Sequence, residues 1–150
     1  MQYKQVNIRE AEMTDILALT ELMNELGYDT AKDEMKIRFA NIQNHEDYKT
    51  YVAAAGTHVV GMVGMTKNYS YEQNGIYVRV LALVINYDFR QNGIGSQLME
   101  ESENWAREMG QTEFYLIVGI EVTEKLLNNF IKKKVIKLNL QASLKNCSNF

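Results

Sequence analysis

The sequence predicts a mixed α/β domain in which one sheet is covered by helices on both sides. Three observations lead there. Apolar residues recur at helical spacing in some segments and in β-type runs in others, with short connections between them. The run from Val80 to Ile85 is almost continuously apolar, as in a strand buried on both faces, which marks it as central. The chain has 150 residues, 46% of them hydrophobic, enough for one ordinary core, and no repeat, low-complexity tract or linker divides it. The expected organisation is a single domain over residues 1–150, with an atypical tail over about 120–150.

The elements follow in order. "YKQVNIREA" alternates well enough for an opening strand from Lys4 to Arg9. After Thr14, the residues Ile16, Leu17, Leu19, Leu22, Met23 and Leu26 are expected on one helical face, with Gly27 as the stop. "TAKDEMKIRFANIQNH" predicts a second helix, whose apolar residues Met35, Ile37, Phe39 and Ile42 are less regularly spaced. "KTYVAAAGTHVVGMVGMTK" is two β-type runs around Ala55-Gly56-Thr57, a hairpin signal. The polar loop "NYSYEQNG" then leads into the long strand "IYVRVLALVINYDF". A third helix is expected from Gly93 to about Met109, burying Ile94, Leu98, Met99, Trp105 and Met109 and stopping at Gly110. "EFYLIV", Glu113 to Val118, reads as another buried strand.

Composition excludes several kinds of chemistry. The single cysteine, Cys147, cannot form an internal disulfide, and His45 and His58 stand too far apart in sequence to resemble a metal-ligand set, so no metal site is expected. The formal net charge of −3 gives no basic footprint for nucleic acid, and the local cluster Lys132 to Lys134 reads as a solvated helix face. No apolar run approaches the ~20 residues needed to span a bilayer. "MQYKQVNIRE" lacks the charged start and apolar middle of a secretion signal, so a cytoplasmic location is expected.

The stretch "DFRQNGIGSQLM" carries the chemistry. A strand ending near Phe89 passes through Arg90-Gln91-Asn92-Gly93-Ile94-Gly95 into a helix, so backbone N–H donors and the positive helix end converge on one spot suited to phosphate. Two glycines before a helix also suit a plain tight turn, and the stretch matches neither "GxGxxG" nor "GxxxxGK[ST]".

"LALVINYDFRQNGIGSQLMEESENWAREMG" resembles the acyl-CoA-binding motif of the GNAT superfamily of N-acetyltransferases, a strand followed by Arg/Gln-x-x-Gly-x-Gly/Ala and a long helix. The core match spans Leu81 to Gly110, and the element order up to Val118 agrees. The resemblance implies a GNAT-like mixed central sheet, mostly antiparallel in its N-terminal strands and splayed at its centre, flanked by helices. It implies acetyl-CoA as co-substrate, held at its pyrophosphate by Arg90, Gln91, Asn92, Gly93, Ile94, Gly95 and Ser96, mostly through loop amides. It also implies that the main chain of Leu83, Val84 and Ile85 holds the pantetheine and polarises the acetyl carbonyl. The implied reaction is direct acetyl transfer to an amine of a small molecule or peptide, with no covalent enzyme intermediate. Family members often carry a glutamate on the central strand, where "VRVLALVI" offers only Arg79 as a charged group. Glu72, Tyr69, Tyr71 and Tyr77 are the remaining acid–base candidates, each also explicable as an ordinary loop or strand residue, and water is the alternative. Tyr69, Tyr71, Glu72, Tyr28 and Asp29 would give an aromatic, partly acidic rim suited to a cationic amine.

After Gly119 the resemblance stops. The family usually continues with an asparagine, an alanine-bearing helix and a tyrosine that protonates the departing thiolate, whereas this chain reads "IEVTEKLLNNFIKKKVIKLNLQASLKNCSNF". With suitable synonymous codons, reading one base earlier gives "NRSNRKAAKQLYKKKGYKAKSTGFVKKL" followed by a stop, which restores those landmarks. The tail from about Ile120 is therefore expected to be a frameshifted product. It remains amphipathic: Thr123 can cap a helix in which Leu126, Leu127, Phe130 and Ile131 share a face, and "VIKLNL" alternates like a strand. With no tyrosine after Tyr115, slow turnover is expected even where CoA binds, so a catalytically impaired CoA-binding module is the second reading. Apolar surface left by an altered tail would also favour a homodimer.

Overall fold

Leu19 and Leu22 are fully buried along one stripe of the first helix, and the chain continues from there much as its periodicity demands. The computed structural model describes residues 5–71, 74–109 and 116–118, the last by backbone alone. Strand β1 is Asn7–Glu10, and a 3-10 turn at Met13–Asp15 leads into helix α1, Ile16–Leu26. Helix α2 is Lys32–Gln43; strands β2, β3 and β4 are Tyr48–Ala55, His58–Tyr69 and Ile76–Ile85. A second 3-10 turn, Tyr87–Phe89, precedes helix α3, Ile94–Glu108, and β5 is Leu116–Val118. The sheet order is β1-β2-β3-β4-β5, with the first four strands antiparallel in sequence and β5 parallel to β4. Among the described residues no helix is long and apolar enough to cross a membrane.

The sheet is covered on both sides, as expected. On one face Ile94, Leu98, Met99, Trp105 and Ala106 of α3 pack with Val63, Met65, Val78, Val80, Leu83 and Ile85. On the other, Ile16, Leu19 and Leu22 of α1 and Met35 and Phe39 of α2 pack with Val52, Met62 and Val84. At roughly 1.5–3 kcal/mol per fully buried large apolar side chain, these two layers are the main favourable term holding the sheet between its helices.

Several expectations are corrected. Leu17 is exposed: at about 100° per residue it points away from the stripe made by Ile16, Leu19 and Leu22, and Thr20 takes the buried place, its hydroxyl donating to the Ile16 carbonyl at 2.7 Å. Ile37 is exposed, so α2 packs through Met35 and Phe39, four residues apart on one face. In α3, Met109 is only partly buried, and the helix buries Ser102 and Ala106, whose small side chains let the helix lie close to the sheet. Ser102 satisfies its hydroxyl by donating to the Leu98 carbonyl at 2.7 Å. The opening strand starts at Asn7; the Lys4 boundary, Gly110, the Glu113–Tyr115 start of the last strand, and the predicted helix and strand of the tail lie outside the described residues.

The long strand departs from its prediction most instructively. Gly64 pairs with Ala82 and Met65 with Val80, so Leu81 is an extra residue in β4, a β-bulge. Leu81 is 42% exposed rather than buried. The bulge changes the parity of the strand: Val78 and Val80 face α3, and beyond it Leu83 and Ile85 do. Without the extra residue, Leu83 and Ile85 would point to the α1–α2 side.

Candidate functional site

At its C-terminal end β4 is buried on both faces by its own side chains. Leu83 and Ile85 point into the α3 layer and Val84 into the α1–α2 layer, all nearly inaccessible, so this segment can meet a ligand only through its main chain. Alternate residues of a strand turn their N–H and C=O groups to opposite sides. β3 lies on one side, pairing Val63, Met62 and Gly61 with Leu83, Val84 and Ile85. On the other side the described pairing with β5 runs from Val78↔Leu116 to Val80↔Val118 and stops there. Among the described residues, no strand faces that side of Leu83–Ile85.

β3 meets this end with a glycine, Gly61, paired with Ile85. A Cβ on Gly61 would stand 2.8 Å from Ile85 Cδ1 and 3.3 Å from the Val84 carbonyl oxygen. The next residue, Asn86, donates its N–H to the Val60 carbonyl at 2.7 Å, which extends the β3 attachment one residue past the strand.

From Asn86 the chain turns through a corner tied by its own groups. Asn86 Oδ1 accepts from the Asp88 N–H at 3.0 Å, and Phe89 N–H donates to the Asn86 carbonyl at 2.9 Å. Arg90 Nε donates back to the Ile85 carbonyl at 3.0 Å, and the guanidinium lies 5.4 Å from the Tyr87 ring centre. Asn92 Nδ2 donates to the carbonyls of Phe89 and Arg90, both at 3.1 Å. Gln91 and Gly93 are both left-handed, with φ of 66° and 75°. Left-handed residues alternating with right-handed ones are one way a chain turns successive N–H groups to the same side.

Gly93 caps α3 without a side chain, and the first helix hydrogen bond runs from the Gln97 N–H to the Gly93 carbonyl at 3.2 Å. Among the described residues no acceptor meets the N–H groups of Gln91, Asn92, Gly93, Ile94, Gly95 or Ser96. These donors stand at the positive end of a 15-residue helix. Gly95 sharpens the reading. Its φ is not in the left-handed region, and among the described residues a Cβ there would meet nothing within 4 Å. Neither its backbone conformation nor its packing against the described residues calls for glycine at that position, whereas close approach of an external group to the backbone would.

The sequence-predicted residues thus fall into two groups. Leu83, Val84, Ile85 and Arg90 to Ser96 come together at one end of β4. Tyr69, Tyr71 and Tyr77 do not join them: Tyr77 is paired with Asn68 near the start of β4, eight residues or about 26 Å of strand from Ile85. Tyr69 and Tyr71 are strongly exposed, and Tyr69 stacks with Lys67 at 5.7 Å. Glu72 lies outside the described residues. Arg79, the one charged residue of β4, is exposed, paired with Thr66 on one side and Ile117 on the other.

Strand β4, the corner and helix α3 follow one another in the order expected from the sequence. Independently, the model of the acetyltransferase (GNAT) family matches residues 16–129. The chain belongs to the GNAT acetyltransferase family. A solved GNAT family acetyltransferase from Staphylococcus aureus is 32% identical to it, with a TM-score of 0.69 over 76% of this chain and 87% of that one. A glucosamine-6-phosphate N-acetyltransferase from Arabidopsis thaliana, at 20% identity, shares the fold with a TM-score of 0.70 over 87% of this chain and 90% of that one. So does an aminoglycoside 6'-N-acetyltransferase from Acinetobacter haemolyticus, at 14% identity and a TM-score of 0.71, covering 86% of this chain and 88% of that one. Among curated proteins, no sequence matches this chain.

One residue of the site had no signal in the sequence. Glu25, in the last turn of α1, accepts the Tyr87 N–H at 2.6 Å and stands 3.9 Å from Arg90 Nη2. The two partners are 62 residues apart along the chain, and nothing in "MNELGYD" distinguishes this glutamate from a solvated one.

Proposed function

We propose that the chain is an acetyl-CoA-dependent N-acetyltransferase that moves the acetyl group directly to a primary amine of a small molecule or protein. The observation that carries this reading is the corner from Gln91 to Ser96, with six amide donors lacking acceptors among the described residues and open space at Gly95. A diphosphate has the charge and the acceptor oxygens for that corner. The thioester arm would then run along the main chain of Leu83–Ile85, on the side away from β3.

Chemically, the neutral amine nitrogen attacks the thioester carbonyl and forms the C–N bond. A strand N–H stabilises the oxyanion, the C–S bond breaks, and the departing thiolate takes up the proton that the newly bonded nitrogen gives up. The amine must first lose its own proton. The tyrosines near the far end of β4 are too distant from Leu83–Ile85 to be the basis of this proposal, and water is the base it assigns. Two fold neighbours are named for acetylation of an aminoglycoside and of glucosamine-6-phosphate, which supports a small amine as the first acceptor class to assay.

A second reading is favoured by one feature of the sequence. No tyrosine follows Tyr115 to protonate the thiolate, so a CoA-binding but catalytically impaired module fits the tail as written. Reading the gene across the codons for Val118 to Glu121 tests the frameshift: restoration of one base must open the alternative frame through to a stop. The functional test is calorimetric titration of the purified chain with acetyl-CoA, followed by turnover with a panel of amines. Binding with turnover supports the first reading, binding without turnover the second, and absence of binding sinks both.

A further inference from the structure

Two neighbouring residues in the last turn of α1 fasten two different loops. Asn24 holds the connection to α2: its Oδ1 accepts the Thr30 N–H at 2.8 Å, and its Nδ2 donates to the carbonyls of Thr30 and Thr20, each at 3.0 Å. Glu25 instead reaches the corner after β4, accepting the Tyr87 N–H and facing Arg90. Arg90 in turn donates to the Ile85 carbonyl and covers the Tyr87 ring. One carboxylate therefore closes a circuit from α1 to the last residue of the buried strand and the first residue of the glycine stretch.

We infer that Glu25 is a positioning residue for the cofactor corner, holding Tyr87 and Arg90 so that the amides of Gln91 to Ser96 are preorganised for a diphosphate. This inference rests on the proposed acetyl-CoA site. The placement of a carboxylate here is informative because electrostatics alone argues against it: a negative charge near a diphosphate site weakens anion binding. An acidic group is tolerable where its contacts hold donors in place and Arg90 offsets its charge. The two effects have opposite signs, which makes the residue testable.

The experiment measures acetyl-CoA affinity, amide hydrogen exchange and thermal stability in Glu25→Ala, Glu25→Gln and Asn24→Ala. Glu25→Ala removes both anchor and charge and is expected to weaken acetyl-CoA about five-fold, with kcat at saturation nearly unchanged. Glu25→Gln keeps an oxygen for the Tyr87 N–H while removing the charge, and is expected to bind as well as the parent chain or better. Asn24→Ala is expected to lower stability without altering affinity. If Glu25→Ala binds as tightly as the parent or tighter, Glu25 is merely a nearby charge and the inference is overturned. If Asn24→Ala weakens binding as much at equal loss of stability, the effect is global and the inference is again overturned. Exchange of the Tyr87 amide reports on the anchor without cofactor: it should accelerate in Glu25→Ala and stay slow in Glu25→Gln. Should the parent chain fail to bind acetyl-CoA, the functional reading falls, while the exchange result still decides whether Glu25 holds the corner.

Discussion

The two ends of β4 use the same strand in opposite ways. At its start, Tyr77 is partly accessible and Arg79 exposed, both near the strongly exposed Tyr69, so this end presents side chains to its surroundings. At its finish, Leu83, Val84 and Ile85 bury every side chain and leave only the main chain, and the corner that follows presents amides rather than functional side chains. The Leu81 bulge divides the two regimes. A site made of backbone tolerates most side-chain replacements and fails where backbone geometry or open space is taken away.

The largest effect is therefore expected at Gly95. In Gly95→Asp a carboxylate occupies the open space beside the amides, and acetyl-CoA affinity should fall about 100-fold through like-charge repulsion, read by calorimetry. An affinity within three-fold of the parent, from a folded variant, would move the diphosphate elsewhere and break the contrast between the ends.

Gly61→Val tests the support beneath the finish of the strand. With Ile85 Cδ1 2.8 Å from the Cβ position and the Val84 carbonyl at 3.3 Å, overpacking should cost about 2 kcal/mol in denaturant unfolding. The same change at Gly64, where among the described residues a Cβ meets nothing within 4 Å, should cost much less, and equal losses would contradict the crowding assigned to Gly61.

A stability change at the other end of α1 should leave the site alone. Asp15, 6% exposed, accepts two hydrogen bonds from Arg9 at 2.8 and 2.9 Å and one from the Glu12 N–H at 2.8 Å. The hydrogen bonds from Arg9 hold its carboxyl below the usual value of 3.8, against the opposing effect of burial. Because the folded pKa is the lower one, the stabilisation is fully present above about pH 4 and is lost as pH falls through the folded value. Asp15→Asn should cost about 2 kcal/mol at pH 7, an amount set by charge-assisted hydrogen bonds, with unchanged acetyl-CoA affinity. The difference from the parent should narrow as pH falls below the usual carboxylate range, and a gap that does not change with pH would mean that the carboxylate charge is not what matters.

The smallest effect is expected at the start of the strand. Tyr69→Ala and Tyr71→Ala remove exposed rings far along the hairpin from the corner, and acetyl-CoA affinity should remain within about two-fold. A ten-fold loss would show that the far end reaches the cofactor after all.

Much of this was legible in the chain because it rests on local rules. Leu19 and Leu22 at helical spacing, the Gly56-Thr57 turn between apolar runs, and the Gly93-x-Gly95 entry to a helix each carry their reason within a few residues. The proposed backbone site rests on the same kind of rule: strand, glycine corner and helix are contiguous, so sequence order alone brings their amides together. The bulge was not legible, since "VLALVI" is apolar on both parities and a uniform pattern hides a shift of register. Leu17 is exposed although it is apolar, because its position on the helix turns it away from the stripe that Leu19 and Leu22 share.

By itself, then, the sequence determined the helices, the strands and the donors of the corner, all products of short-range periodicity and backbone chemistry. Only the tertiary structure decided that Leu81 would be expelled from the ladder, that Gly61 would pair with Ile85, and that Glu25 would meet Tyr87. Those are pairings between distant segments, set by how two packed layers share one sheet, and no local propensity encodes them.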